Sequence, residues 1–161
     1  MVNISLAYTA KINPSGVTPV LTKRQVWAGL QRKIRFAQEF VPVIESCEVL
    51  EDKDGIVDRK VVFKPGMPKS EAREIVRGYE DAWVDFEQED GTHIRNIISD
   101  GSSGDLDDLH MTYMFEFRLP HVQEGEQGQQ QKEKLEKTSK MAVESSIEAI
   151  RKMVVDGRIA A

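Results

Sequence analysis

The chain has 161 residues, with 22 Lys+Arg against 27 Asp+Glu for a net charge of −5, and 40% of its residues are hydrophobic and 30% charged. That length supports one core that needs neither disulfide nor metal to hold it, and the balance excludes disorder, collagen-like repeats and a membrane bundle. The acidic excess also argues against a nucleic-acid partner, since such binders carry a basic surplus to neutralise phosphates. Cys47 is the only cysteine and cannot form an internal disulfide, no run reaches the roughly 18 apolar residues of a membrane helix, and Met1 to Ala10 lacks the pattern of a signal peptide. The cytoplasm is therefore the expected compartment, without membrane insertion. Charge is segregated along the chain: residues 1–38 hold six bases and no acid, whereas 39–90 and 100–131 together carry a net −14. Helical and sheet surfaces are expected to differ in sign.

Val2, Ile4, Leu6 and Tyr8 alternate with Asn3, Ser5, Ala7 and Thr9, the period of a half-buried strand, and Asn13-Pro14-Ser15-Gly16 ends it. Thr22 stands three residues before Gln25, a capping box that opens a helix. Val26, Trp27, Leu30, Ile34 and Ala37 then recur at helical spacing, with Pro42 marking the stop. From Val43 to Leu119 the pattern becomes six strands, near 43–52, 56–64, 70–79, 82–88, 92–100 and 109–119, separated by turn residues such as Asp54-Gly55, Pro65-Gly66 and Asp90-Gly91. Connections this short imply antiparallel hairpins. Residues 123–131 are rich in Gln, Glu and Gly and read as a solvated loop or frayed helix start. A long amphipathic helix follows from about Gln130 to Asp156, with Leu135, Ala142, Val143, Ile147, Ile150 and Met153 on one face and Gly157 as its C-cap.

This order predicts an α+β fold, in which a curved seven-stranded antiparallel sheet wraps around the C-terminal helix and a helical segment follows the first strand. The whole of 1–161 reads as one domain. A long grip of this kind leaves space between sheet and helix for a ligand.

Leu21-Thr22-Lys23-Arg24-Gln25-Val26-Trp27-Ala28-Gly29-Leu30, followed by Cys47-Glu48-Val49-Leu50-Glu51, resembles the AtaL-like family of small bacterial and fungal proteins. Asp58-Arg59-Lys60-Val61-Val62-Phe63 leading into Pro65-Gly66, the strand Asn96-Ile97-Ile98-Ser99, and Leu109-His110-Met111-Thr112-Tyr113-Met114-Phe115-Glu116 look like the family's other blocks. The resemblance spans nearly the whole chain and points to a fungal member. It implies the helix-grip fold of the START-like, or SRPBCC, superfamily, which includes the birch-pollen allergen and bacterial aromatic polyketide cyclases. It also implies an internal pocket for a hydrophobic small molecule and a link to secondary metabolism. It does not imply one reaction, because the same fold hosts carriers, cyclases, dehydratases and chaperone activators.

The residues themselves suggest a site. Arg59, Val61 and Phe63 share one face of their strand, and the two apolar neighbours mark it as the cavity side. A buried guanidinium there needs a partner, either an internal acid such as Glu48 or Glu71 or a ligand carboxylate or enolate. Arg73 shares a face with Glu71 and Ile75 and is a candidate second cation, or else a surface ion pair. Asn96 lies with Ile94 and Ile98, and Tyr113 with Met111, Phe115 and Phe117. An amide and a phenol of this kind orient a ligand in an apolar pocket, and the phenol can also share in proton transfer. A core aromatic bonded to backbone is the alternative for Tyr113.

The candidate catalytic set is therefore Arg59, Tyr113 and Asn96, with Arg73, Val61, Phe63, Met111 and Phe115 contacting the ligand. His93, His110 and His121 do not form a metal set, the acids between Asp100 and Asp108 lack calcium-loop spacing, and no dinucleotide fingerprint occurs. Neither metal nor cofactor is expected. The leading reading is a small-molecule isomerase, cyclase or lyase acting on a hydrophobic, polyketide-like substrate, as a monomer or homodimer. A carrier of a similar ligand is the second reading, and an interaction module using the basic helix from Lys23 to Arg35 is the third.

Overall fold

The first strand, β1 (Val2–Lys11), leads through the Asn13–Gly16 turn to α1 (Lys23–Arg35) and a short 3-10 turn (Ala37–Glu39). Six strands follow, β2 (Ile44–Lys53), β3 (Ile56–Phe63), β4 (Glu71–Tyr79), β5 (Trp83–Gln88), β6 (His93–Asp100) and β7 (Leu109–Leu119), and the chain closes with α2 (Glu126–Asp156). This is a computed structural model that describes residues 1–161. The seven strands form one antiparallel sheet in the order β1-β7-β6-β5-β4-β3-β2, the expected architecture.

The local reasons are those anticipated for most elements. Thr22 Oγ1 accepts from the Gln25 N–H at 3.1 Å and the Gln25 side chain accepts from the Thr22 N–H at 2.9 Å, so the capping box satisfies two orphan donors at the start of α1. In β7, Leu109, Met111, Tyr113, Phe115, Phe117 and Leu119 are all buried and the residues between them are not. That strict alternation presents one apolar face to α2, whose Leu135, Val143, Ile147, Ile150 and Met153 share the same core. At 31 residues α2 is about 46 Å long and packs against β1 and β7.

Two boundaries differ from expectation. The first helix ends at Arg35, where Phe36 leaves helical geometry (φ −132°, ψ 50°), and the chain continues as the 3-10 turn that buries Ala37 and Phe40 before Pro42. At the other end α2 starts at Glu126, so the glutamine-rich stretch is helical. Gln127 reaches back to accept from the Gln123 N–H at 2.7 Å, and Gln129 bonds Glu133 one turn on. Polar side chains that read as a solvated loop or a frayed helix start are, from Glu126 on, the exposed face of a helix.

Helix α1 crosses α2 at Gly29. A Cβ there would lie 2.4 Å from Cγ1 of Ile150, so the absence of a side chain sets how closely the helices approach. The close approach turns the next part of the same face, Leu30, Lys33 and Ile34, into the interior. No helix is long and apolar enough to cross a membrane.

Candidate functional site

Between the concave face of the sheet and the two helices lies a cavity of about 90 Å³. Its walls are apolar, with Val61, Phe63, Phe86, Ile94, Phe115 and Phe117 from the strands, and Ala142 from α2. Val43, Met67 and Pro68, which line it from outside the strands, are half-buried and form its rim. The polar groups among the lining residues are Lys33 on α1, Arg59 on β3, Glu74 on β4, Gln88 on β5, Asn96 on β6 and Tyr113 on β7, with Lys69 ahead of β4 and the hydroxyls of Thr138 and Ser139 on α2.

Lys33 is the group that departs furthest from ordinary behaviour. It sits on the inward stripe of α1 with Val26, Gly29, Leu30 and Ile34, and is 5% exposed. Its Nζ donates to Asn96 Oδ1 at 2.6 Å and lies 4.3 Å from the ring centroid of Tyr113 and 5.3 Å from that of Phe86. No carboxylate bonds it. Burial, reinforced by the nearby Arg59 charge and only partly offset by Glu74, lowers its pKa from the ordinary 10.5 to about 7. A lysine so placed exchanges its proton at neutral pH.

Arg59 is buried, and its partner is an acid within the protein. Nε and Nη2 donate to Glu74 Oε1 at 3.0 and 2.7 Å, while Nη1 donates to the carbonyls of Lys33 and Ile34 at 3.0 and 2.8 Å. The acid is neither Glu48 nor Glu71. Glu74 is itself inward between Ala72 and Val76, and its second oxygen accepts from Gln88 Nε2 at 2.8 Å. Gln88 in turn accepts from Lys69, which is ion-paired with Asp90. Arg59 therefore ties β3 and β4 to the C-terminal end of α1, the turn that carries Lys33, and sits over the Phe86 ring at 4.9 Å.

Arg73 does not reach the cavity. It faces outward, 54% exposed at its side chain, in a two-point pair with Asp58 at 2.9 and 2.6 Å. The parity of β4 is the reverse of the one that would bring Glu71, Arg73 and Ile75 inward, and one residue of parity exchanges the faces. Met111 is on the inward face of β7 but lies beyond the cavity, fully buried in the core with Leu109 and Ile12. Val61, Phe63 and Phe115 line the walls.

Asn96 and Tyr113 stand directly opposite each other on β6 and β7, both inward and both essentially inaccessible at 0% and 1%. Asn96 gives its oxygen to Lys33, and its Nδ2 has no protein partner; nor has the Tyr113 hydroxyl. Burial raises the phenol's pKa above its ordinary 10. The Ser146 hydroxyl opposes that shift, but its own proton goes to the Ala142 carbonyl at 2.7 Å. The backbone partner considered for Tyr113 is thus absent. Unlike the cavity groups, His93 and His110 pair with Asp85 and Asp108 separately, and Cys47 is half-buried with its Sγ 3.9 Å from the Ile34 carbonyl.

Sequence reasoning missed Lys33 and Glu74. Both had a signal, since Lys33 falls in the 26-30-33-34 stripe of α1 and Glu74 alternates with Ala72 and Val76. A charged residue at an inward position of an otherwise apolar periodic face is either paired, as Glu74 is, or functional.

A family model described as acetylaranotin biosynthesis cluster protein L matches residues 6–157. The chain belongs to the AtaL family. No curated protein sequence matches it. Among solved structures, the Zhui aromatase/cyclase from Streptomyces sp. R1128 superposes with a TM-score of 0.66 at 12% identity, over 99% of this chain and 96% of that one. The di-domain aromatase/cyclase StfQ of the steffimycin biosynthetic pathway gives 0.69 at 8% identity over 97% of this chain, which spans about half (52%) of that protein. A Thermus thermophilus protein, TTHA0849, gives 0.58 at 12% identity, over 97% and 99%. At such identities the likeness establishes the helix-grip fold.

Proposed function

We propose that this AtaL-family protein is a small-molecule enzyme of secondary-metabolite biosynthesis that moves a proton on a hydrophobic substrate, in a cyclisation, isomerisation or elimination. The observation that carries the reading is Lys33: a buried amine with a pKa of about 7, unpaired with any carboxylate, on the wall of an apolar cavity. A carrier needs shape and a few hydrogen bonds, and gains nothing from the cost of burying such a group. A catalyst working near neutral pH needs a group poised in this way.

As a free amine Lys33 takes a proton from carbon next to a substrate carbonyl. The C–H bond breaks, an N–H bond forms, and the electron pair moves to the carbonyl oxygen. The resulting ammonium then stabilises that charge or returns the proton elsewhere on the substrate. Asn96 and Tyr113 orient the reacting end. Arg59 is a positioning residue, because it holds the α1 turn that carries Lys33 and depresses the lysine's pKa through its charge. The aromatase/cyclase descriptions of the structural neighbours support a polyketide-related substrate class. At about 90 Å³ the cavity is small beside the roughly 300–1,000 Å³ of ligand pockets in general, so the reacting end enters and the rest of the substrate lies along the rim. The reading uses only groups of this chain, with no metal or redox cofactor, and takes the protein as cytoplasmic and acting as a monomer or homodimer.

Deleting the gene in the producing organism and isolating the compound that accumulates supplies the substrate. Purified wild-type protein is expected to convert it, as followed by mass spectrometry, and Lys33→Met to do so about 10²–10⁴-fold more slowly. Binding and release of the unaltered compound by wild type would establish the carrier instead.

A further inference from the structure

The cavity leaves several hydrogen-bond donors unused. Its carboxylate and amide oxygens are spent: Glu74 accepts from Arg59 and Gln88, Gln88 from Lys69, and Asn96 from Lys33. The hydroxyls of Thr138 and Ser139 donate into their own helix, to the carbonyls of Lys134 and Leu135. Arg59 has used four of its five N–H groups on Glu74 and the two α1 carbonyls. What remains, besides the fifth Arg59 N–H, is Asn96 Nδ2, the Tyr113 hydroxyl and the Lys33 ammonium, whose single hydrogen bond goes to Asn96. Two of these donors are buried without a protein partner, a state that costs free energy unless something else fills it.

Charge leads to the same conclusion. Lys69 is balanced by Asp90 and Arg59 by Glu74, so protonated Lys33 leaves the cavity one positive charge in excess. A neutral hydrocarbon satisfies neither the donors nor the charge.

We infer that the floor of this cavity is an oxyanion site, in which Lys33, Asn96 Nδ2 and the Tyr113 hydroxyl together bind an anionic oxygen carried on a planar, otherwise apolar part of the substrate. The inference rests on the proposed small-molecule function and specifies its substrate: a compound that presents an enolate, phenolate or carboxylate oxygen at the end that enters first. The rings of Tyr113 and Phe86, with centroids 4.3 and 5.3 Å from the lysine Nζ, favour a flat frame behind that oxygen.

The test is direct binding to the purified protein, without turnover. 4-Nitrophenol is the probe for a phenolate, because its visible absorbance reports its ionisation; benzoate is the probe for a carboxylate; toluene has no acceptor. The expected result is that the anion of 4-nitrophenol or benzoate binds at least tenfold more tightly than toluene or neutral 4-nitrophenol. Lys33→Met should weaken the anion about 100-fold and Tyr113→Phe about tenfold, with toluene binding unchanged. Tyr113→Phe keeps the buried ring and removes only an oxygen with no protein partner within hydrogen-bond distance, so it is expected to fold. Tighter binding of 4-nitrophenolate assigns an enolate or phenolate, and tighter binding of benzoate assigns a carboxylate. Equal binding of toluene and the anions, or undiminished anion binding by Lys33→Met, overturns the site. Conversion of the accumulated intermediate by wild type would in that event leave the enzymatic reading standing.

Discussion

At the scale of single residues, the two cations in the cavity are held on opposite terms. Arg59 is fully compensated, and removing it strands the Glu74 carboxylate in the interior with one lone-pair partner left, Gln88. Arg59→Ala should therefore cost about 3–5 kcal/mol in urea unfolding, the penalty of an uncompensated buried charge. The double replacement Arg59→Met with Glu74→Leu should recover most of that loss. A single variant within about 1 kcal/mol of wild type would show that Glu74 takes up a proton or finds another partner at little cost. Lys33 has no such compensation. Replacing it by Met removes a buried charge and keeps the volume, so Lys33→Met should be more stable than wild type at neutral pH by about 1–4 kcal/mol while losing activity. Stability and activity moving in opposite directions distinguishes a functional lysine from a structural one, and a loss of both would argue for the structural role.

At the scale of elements, what positions Lys33 is the crossing of α1 over α2. Gly29→Ala places a Cβ 2.4 Å from Ile150 Cγ1, and the side chain must shift or the helices must part, at about 1–3 kcal/mol. In an Ile150→Ala background the same change has room and gains helix propensity, so it should stabilise, by up to about 1 kcal/mol. A double-mutant cycle followed by denaturant unfolding reads that reversal of sign, and additive effects would mean that the contact does not set the crossing. The elements legible in the sequence were those whose two faces contrast: β7 with its unbroken alternation of large apolar and polar residues, and α2 with its stripe from Leu135 to Met153. The parity of β4 was only weakly marked, because Glu74 puts a charge on the face of Ala72 and Val76 while Ile75 puts an apolar residue among Glu71, Arg73 and Arg77, and the pairing of Glu74 with Arg59 is what lets that charge turn in. The Arg59 position was readable from Val61 and Phe63, but its partner was not, since Glu74 comes from the neighbouring strand through the register Arg59↔Glu74. Lys33 escaped for a different reason. A lysine at the margin of a helical stripe ordinarily runs its stem along the core and its charge out to water, and here the close approach at Gly29 denies it that route.

For the whole molecule, these residues set how stability and activity depend on pH, and they set them apart. On the acid side Asp90 contributes: burial works to raise its pKa, but the hydrogen bonds from Lys69 and Thr92 outweigh it and the net shift is downward. Stabilisation from that carboxylate is present above the ordinary aspartate range and is lost as pH falls through the lowered value. On the alkaline side Lys33 acts in the opposite sense to a paired lysine. Below about 7 it is protonated in both folded and unfolded chains, and the penalty of burying the charge counts in full. As pH rises from about 7 towards the ordinary value of 10.5, the folded protein has released its proton while the unfolded chain still holds one, so stability climbs. The climb is on the order of 4 kcal/mol across that window, and it should disappear in Lys33→Met. The difference between wild type and variant in urea midpoint, measured at intervals from pH 6 to pH 10, isolates the lysine from every other titrating group. A flat difference would show that Lys33 keeps its charge throughout. Proton abstraction by the amine would meanwhile rise through an apparent pKa near 7 in the rate of the free enzyme. The protein would then be most stable on the alkaline side, where the buried charge is gone. Near neutrality it would keep that charge available in a fraction of molecules for an oxyanion to meet.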